Sequence, residues 1–391
     1  MGRAGAEKSM LELINTLDKD KFEIHLFSLI NRGEMFDEVP PNVRIHNKKP
    51  DSRTVLGAKS FLVRTILRSM LTGFNFFSSL PYIIRNLIDQ IKNKRIQFDK
   101  IFWKLISDGA EKIDEKFDVA IAYLEGGASF YVADHIRADK KAAFIHIDYK
   151  RAGYSRKLDN GCYNNMDRIY IVSEEAKSSF LDIYPELLNK VQIFYNIINK
   201  SRIIELADEG EGFRDDFDGL RLLTIGRLHY QKGYDIVIPA LARLISENYK
   251  IRWYVLGEGE IRFELQKLIE KYHLEDKFLL LGAVSNPYTY LKQCDLYVHC
   301  TRFEGRSIAI EEAQVLGKAI IASDSSGNRE QIEDGVNGLI VKLDEKEIAE
   351  AIKKLLNDKL LRDRFEQINL EKDFKYRDNM KSFYDFLGDA K

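Results

Sequence analysis

Two carboxylates, Glu304 and Glu312, stand with seven residues between them in the stretch Arg302-Phe303-Glu304-Gly305-Arg306-Ser307-Ile308-Ala309-Ile310-Glu311-Glu312-Ala313. The first falls in a Gly-containing turn just past the apolar run Asp295 to Cys300. The second lies one to two turns into the helix that this turn opens. Such a corner gathers free backbone N–H groups, a helix N-terminus and two acceptor side chains around one crevice. The N–H groups suit phosphate oxygens and the carboxylates suit sugar hydroxyls, so the combination reads as a sugar-nucleotide site. Spacing alone is a weak signal in a chain with 31% charged residues, because a solvated turn and a wet helix face give the same pattern.

The flanking elements sharpen it. Gly317 ends the helix, and Ala319 to Ser323 read as a buried strand. Strand, turn, helix, stop and strand make a βαβ unit, whose ligands bind at the carboxyl ends of its strands. A second loop of the same kind follows the run Leu222 to Ile225. It carries Arg227 and Lys232 five positions apart, framed by Gly226 and Gly233. Fixed cations there would meet the negative charge of a departing diphosphate, a task otherwise given to a metal. The D-x-D at Asp18-Lys19-Asp20 sits in a polar loop and reads as a turn, so the expectation is transfer with no metal and no cofactor.

The segment EGRSIAIEEAQVLGKAIIASD resembles the signature of the retaining glycosyltransferases of the GT-B fold, the "group 1" family. Leu222 to Asp235 (LLTIGRLHYQKGYD) is similar to the first strand and loop of that family's C-terminal domain, and Glu333 to Val341 (EDGVNGLIV) to its closing turn and strand. The resemblance covers roughly residues 1–390 and is strongest over 219–341. It implies that Arg227, Lys232 and the groups around Gly305, Arg306, Ser307 and Ile308 hold the diphosphate of a nucleotide sugar. Glu312 would accept from the ribose, Glu304 would orient the donor sugar, and Val284 would meet the base through its backbone. Gly257-Glu258-Gly259 reads as a turn near the site rather than a phosphate grip. In the first half, His146 ends a buried strand (FIHID), where the family's His contacts the donor sugar; a lone His is otherwise structural. Gly2 and Gly5, in a Gly-rich loop, and Glu125 (YLEGG) are the acceptor-side candidates. The family places a strand ahead of that loop, and here only Met1 precedes it. The expectation is therefore a shortened start that lacks one central strand.

Composition supports a two-domain enzyme. The chain has 391 residues, 45% hydrophobic, with a net charge of −1 that argues against a general nucleic-acid binder. Cys162, Cys294 and Cys300 show no metal-ligand pattern and read as reduced core residues. No apolar run reaches the roughly 20 residues needed to span a bilayer, and no signal peptide is visible. A cytoplasmic protein is expected, at most peripheral on the inner face of the cell membrane. Apolar runs alternate with amphipathic helices throughout, the first-half strands falling at 22–29, 43–46, 118–123, 142–147, 168–172 and 191–195. In the second half they fall at 222–225, 251–256, 278–281, 296–300, 319–323 and 338–341. The reading is α/β, two Rossmann-like doubly wound domains facing a cleft. They comprise an acceptor-side domain over 1–198, a polar connection over 199–218, a nucleotide-sugar domain over 219–372, and a helix over 373–391 crossing back to the first domain.

Residues 51–105 hold ten Lys/Arg against three Asp, interleaved with apolar and aromatic residues. Basic amphipathic helices of this kind lie on anionic membranes, or else pack a core and leave a solvated basic face. The partners expected are a nucleotide sugar, a lipid-linked or saccharide acceptor, an anionic membrane surface through 51–105, and no nucleic acid. The function expected is retaining transfer to a lipid-linked saccharide in bacterial surface polysaccharide synthesis. A sugar-nucleotide epimerase and a non-catalytic partner of a glycosyltransferase complex are the other readings.

Overall fold

The computed structural model describes residues 5–48, 50–52, 63, 65, 66, 75–92, 98–374 and 377–388. The chain divides into two units, Met1–Ile197 with Lys375–Lys391, and Ile198–Phe374. Every named strand pairing is parallel. Parallel sheets covered on both faces need strands apolar on both faces, which is why all twelve expected runs are strands.

Unit 2 holds one six-stranded sheet. In chain order its strands are β7 (Leu220–Ile225), β8 (Ile251–Leu256), β9 (Phe278–Gly282), β10 (Leu296–His299), β11 (Ile320–Ser323) and β12 (Leu339–Val341). Their spatial order is β12-β11-β10-β7-β8-β9. The chain therefore runs outward from β7 in one direction, then returns to β10 on its other side. That reversal puts the loops after β7 and β10 next to each other, at the switch point where such sheets bind ligands. Trp253, Leu296, Val298 and Ile321 are fully buried on one face, and Leu223, Tyr297 and Ile320 on the other.

Unit 1 carries two sheets. β3 (Lys116–Ala122), β4 (Arg137–Ile145), β5 (Arg168–Ile171) and β6 (Val191–Ile193) pair in that order, while β1 (His25–Leu26) and β2 (Arg44–Ile45) form a separate two-stranded sheet. The run 22–29 is thus extended for two residues only. Among the described residues it pairs with β2 alone, and the ladder stays short despite strong strand propensity. The helix Gly5–Thr16 buries Leu11, Leu13 and Ile14. Its Ser9 hydroxyl donates to Asn196 Oδ1 (3.0 Å) and lies 2.9 Å from the Tyr123 hydroxyl.

Residues 199–218 are not a bare connection. Asn199 caps the helix Lys200–Ala207 by accepting from the Arg202 amide. Asp215 pairs with Arg221 (2.9 Å) and Arg252 (3.0 Å), which ties the acidic stretch to β7 and β8. These charges meet cations from the adjoining strands. All three cysteines are buried thiols. Of the basic segment, the helices Asn75–Lys92 and Phe98–Gly109 and residues 51, 52, 63, 65 and 66 are described; the rest of it, like Gly2, lies outside the described residues.

The last helix, Arg377–Leu387, belongs to unit 1. It places Phe383, fully buried, against Tyr170 (ring centroids 5.3 Å), Phe194 (5.3 Å) and Phe144 (6.1 Å). Phe383→Ala should lower the stability of unit 1 by about 3–5 kcal/mol. Denaturant unfolding followed by tyrosine signals of unit 1 would read this, and a loss under about 1 kcal/mol would contradict the packing.

Candidate functional site at the switch point of unit 2

The loop after β7 is built for close backbone approach. A Cβ on Gly257 would lie 2.0 Å from the Gly226 carbonyl oxygen, and one on Gly259 would lie 2.0 Å from that of Leu228. Only glycine lets the loops after β7 and β8 touch there, so Gly257-Glu258-Gly259 shapes the turn as the sequence suggests. Next comes a 3-10 turn, Tyr230–Lys232, capped by the His229 ring and closed by Gly233 at φ +62. This turn aims Lys232 inward while Arg227 stays exposed.

The loop after β10 brings the partner. Lys232 Nζ lies 2.5 Å from Glu304 Oε2, with side chains only 14% and 15% exposed. His299, at the end of β10 and 1% exposed, presents Nε2 at 3.5 Å from the same oxygen. Its Nδ1 lies 3.2 Å from the Tyr297 hydroxyl. Burial by itself pushes the Glu304 carboxyl up, but Lys232 and His299 outweigh it and hold it down at about 2. Burial and the neighbouring ammonium both push His299 down, so its ring is neutral at neutral pH. Sequence reasoning missed His299; the one visible signal was a polar residue closing an apolar strand.

Glu312 is also buried, where its Oε1 accepts from the Tyr288 hydroxyl at 2.8 Å. Tyr297 is common ground for the two carboxylates: its hydroxyl is pushed up by burial, with Glu312 and Glu304 adding to the shift. Arg306 sits differently from expectation. Its guanidinium pairs with buried Glu311 at 2.7 Å instead of standing free for a phosphate. Burial pushes Glu311 up against the opposing pull of Arg306. Ser307 is also engaged through its backbone, the amide donating to Gln331 Oε1 and the carbonyl accepting from Gln331 Nε2, both at 2.8 Å. The amides that begin the helix Ile308–Val315 have no intrahelical acceptor, and they form the positive end of its dipole. Gly305 is pressed from behind, where a Cβ on Gly327 would fall 2.3 Å from its carbonyl oxygen. Val284 follows β9 and is half-buried against the core beneath β7 and β10.

In unit 1 the His146 amide donates to Glu125 Oε2 at 3.2 Å. Burial pushes the His146 ring down to about 4 against a hydrogen bond that the ring donates to the Tyr123 backbone, so it is neutral at neutral pH. Its Nε2 is buried without a hydrogen-bond partner. Asn196 Oδ1 accepts from the Ser9 hydroxyl at 3.0 Å. Gly5 opens the first helix.

The Lys232–Glu304 pair has a pH signature. A carboxyl held at about 2 adds stability above its ordinary value near 4.5 and loses it as pH falls toward 2. Lys232→Met leaves the carboxylate buried without its cation and should cost about 3–5 kcal/mol at pH 7. The gap to the parent chain should shrink below pH 4, where the carboxyl in the variant is neutral. A gap independent of pH, measured by denaturant unfolding, would contradict the ion pair.

Comparison with known proteins places these loops. Residues 215–372 match the family described as "Glycosyl transferases group 1". The N-acetylgalactosamine-N,N'-diacetylbacillosaminyl-diphospho-undecaprenol 4-alpha-N-acetylgalactosaminyltransferase of Campylobacter jejuni is 26% identical over 370 residues, 93% of this chain and 89% of that protein. Several other curated relatives are matched over 38% to 61% of their length. Among solved structures, Anabaena Alr3699/HepE in complex with UDP and glucose aligns with a TM-score of 0.60 at 16% identity, over 94% of this chain and 90% of that one. A glycosyltransferase from Rickettsia africae aligns with a TM-score of 0.61 at 14% identity, over 99% and 97%. The family match lies over residues 215–372, the part of unit 2 that carries the switch-point site, and the chain is similar over most of its length to glycosyltransferases, enzymes of the GT-B fold that it shares.

Proposed function

We propose that the protein transfers a sugar from a nucleoside-diphosphate sugar to a lipid-linked saccharide, with retention of configuration and without a metal at the diphosphate. The observation that carries this reading is the buried Lys232–Glu304–His299 cluster beside exposed Arg227, at the carboxyl ends of β7 and β10. Arg227, Lys232 and the first amides of the helix from Ile308 supply positive potential where the leaving diphosphate gathers charge. Glu304 faces the donor sugar hydroxyls, Glu312 the ribose and Val284 the base. The bond between the anomeric carbon and the diphosphate oxygen breaks, the acceptor oxygen bonds to the same face of that carbon, and the acceptor proton passes to the departing phosphate oxygen. His146, neutral and with a free Nε2, is the unit 1 candidate for a donor-sugar contact.

Two comparisons favour a lipid-linked acceptor and a uridine donor. The Campylobacter relative's name describes a diphospho-undecaprenol acceptor, and the Anabaena structure holds UDP and glucose. The helix Asn75–Lys92 adds a surface suited to such an acceptor. Leu80, Ile84, Ile88 and Ile91 are 38%, 48%, 48% and 63% exposed, at the spacing of one helix face. Arg85, Lys92 and Lys157 border that face. Among the described residues no helix is long and apolar enough to cross a membrane, so this face would rest on the cytoplasmic leaflet. Four aliphatic side chains contribute up to about 1.5–3 kcal/mol each on full burial, against about 1 kcal/mol per cation. The apolar contribution is therefore the larger.

Incubation with a panel of UDP-, GDP- and ADP-sugars should give slow release of one nucleoside diphosphate that survives EDTA. Arg227→Ala should reduce that release about 10²-fold or more with stability within about 0.5 kcal/mol. Unchanged release would remove Arg227 from the site, and no nucleotide binding at all would point to a non-catalytic partner. Co-sedimentation with anionic vesicles should be lost in the double variant Ile84→Asp, Ile88→Asp and only weakened by salt. Equal binding by the variant would refute the membrane face.

A further inference from the structure

Three potential ligand atoms converge where the two sheets of unit 1 meet. They are Nδ1 of His25, which opens β1, Nε2 of His46, which follows β2, and Oε2 of Glu115, which precedes β3. The two ring nitrogens lie 2.8 Å apart, and Glu115 Oε2 lies 3.6 Å from His25 Nδ1 and 3.8 Å from His46 Nε2. Ligands on a tetrahedral ion at about 2.0–2.1 Å stand about 3.3–3.4 Å from one another. The three separations bracket that value.

The surrounding groups arrange the ligands as a metal site requires. Glu23 Oε1 lies 3.0 Å from His25 Nε2. That contact holds a hydrogen on Nε2 and leaves the Nδ1 lone pair facing the cluster, the arrangement in which a carboxylate orients a metal-bound imidazole. Arg44 NH2 donates to Glu115 Oε1 at 2.9 Å and leaves Oε2 for the two rings. The His side chains are 15% and 12% exposed and Glu115 is 43% exposed, so one side of the cluster stays open to water as a fourth ligand.

We propose that His25, His46 and Glu115 form a structural site for one divalent transition-metal ion of the Zn²⁺ class, tying the two-stranded sheet to the amino end of β3. Two imidazoles and a carboxylate suit zinc. The ring hydrogen of His46 moves from Nε2 to Nδ1 when the ion takes its place, so no redox step or co-reactant is involved. Among the described residues the two sheets share no strand pairing, and the ion would link them directly. The site is remote from the reaction: Glu115 lies at the amino end of β3 and Glu125 beyond its carboxyl end, a strand of seven residues or about 23 Å between. Binding to the folded state alone would raise stability by mass action.

The full-length protein, stripped with EDTA and dialysed, should take up one equivalent of Zn²⁺ by elemental analysis, with a rise in Tm. Co²⁺ in its place should give the visible absorption of a tetrahedral site. His46→Gln should abolish the Co²⁺ spectrum, and Glu23→Gln should weaken binding about tenfold by loosening His25. A parent chain that takes up no metal, shows no Co²⁺ spectrum and keeps its Tm would overturn the site, leaving a hydrogen-bonded imidazole pair. A His46→Gln chain that binds as well as the parent would overturn it too. Neither result depends on sugar transfer, because both are read without donor or acceptor.

Discussion

The carboxyl end of the unit 2 sheet depends on one cation held against one carboxylate. Lys232 comes from the loop after β7 and Glu304 from the loop after β10, and each is nearly buried. Neither charge is tolerable there without the other. The two loops are therefore zipped along their length. Gln231 Nε2 donates to the Phe303 carbonyl (2.7 Å), the Arg302 amide to the Gln231 carbonyl (2.8 Å), and Thr301 Oγ1 to the same carbonyl (3.0 Å). Arg302 finishes the seam with a two-point pair to Asp235. The strand order brings these loops together, and the ion pair with its hydrogen bonds keeps them there.

This arrangement divides the work between the two cations. Lys232 is already neutralised by Glu304, so its ammonium is a positioned dipole more than a free charge. Arg227 is exposed, and its guanidinium retains its full charge for an incoming anion. In the low dielectric of a closed site a fixed charge acts far more strongly than in water. A donor diphosphate would thus meet one mobile cation, one fixed pair and the amide end of a helix. Arg306, the third cation the sequence offers, is spent on Glu311. That pair ties the turn before the helix Ile308–Val315 to the helix's own first turn.

Much of this was legible in the residues, and the failures are instructive. Parallel strands are apolar on both faces, so all twelve announced themselves, Ile251–Leu256 to the residue. Lys232 and Glu304 were legible because glycines marked their loops. Their direct contact was not, since it joins positions 72 residues apart through strand order. The Arg306–Glu311 pair escaped for a different reason. Five positions apart is no helix neighbour, and only the turn at Gly305–Ser307 brings the two side chains level. His299 was hidden by its own strand, where alternation makes any residue look structural. The partners of the acidic stretch 199–218 were hidden because composition reports charge alone, and Asp215 has two arginines and Tyr254 within reach.

The glycines decide which parts of the site can change. At Gly257, Gly259 and Gly327 an added Cβ would meet main-chain carbonyl oxygens at 2.0 to 2.3 Å, and main chain cannot step aside as a side chain can. Any larger residue there moves a whole loop, and with it Lys232, Glu304 or the helix dipole. Val284 has no such constraint: it is half-buried at the rim of the apolar core, and a change there reshapes a wall without shifting a charge. On the proposed function, the phosphate-facing geometry is a property of backbone contacts, while recognition of the base and sugar belongs to side chains such as Val284.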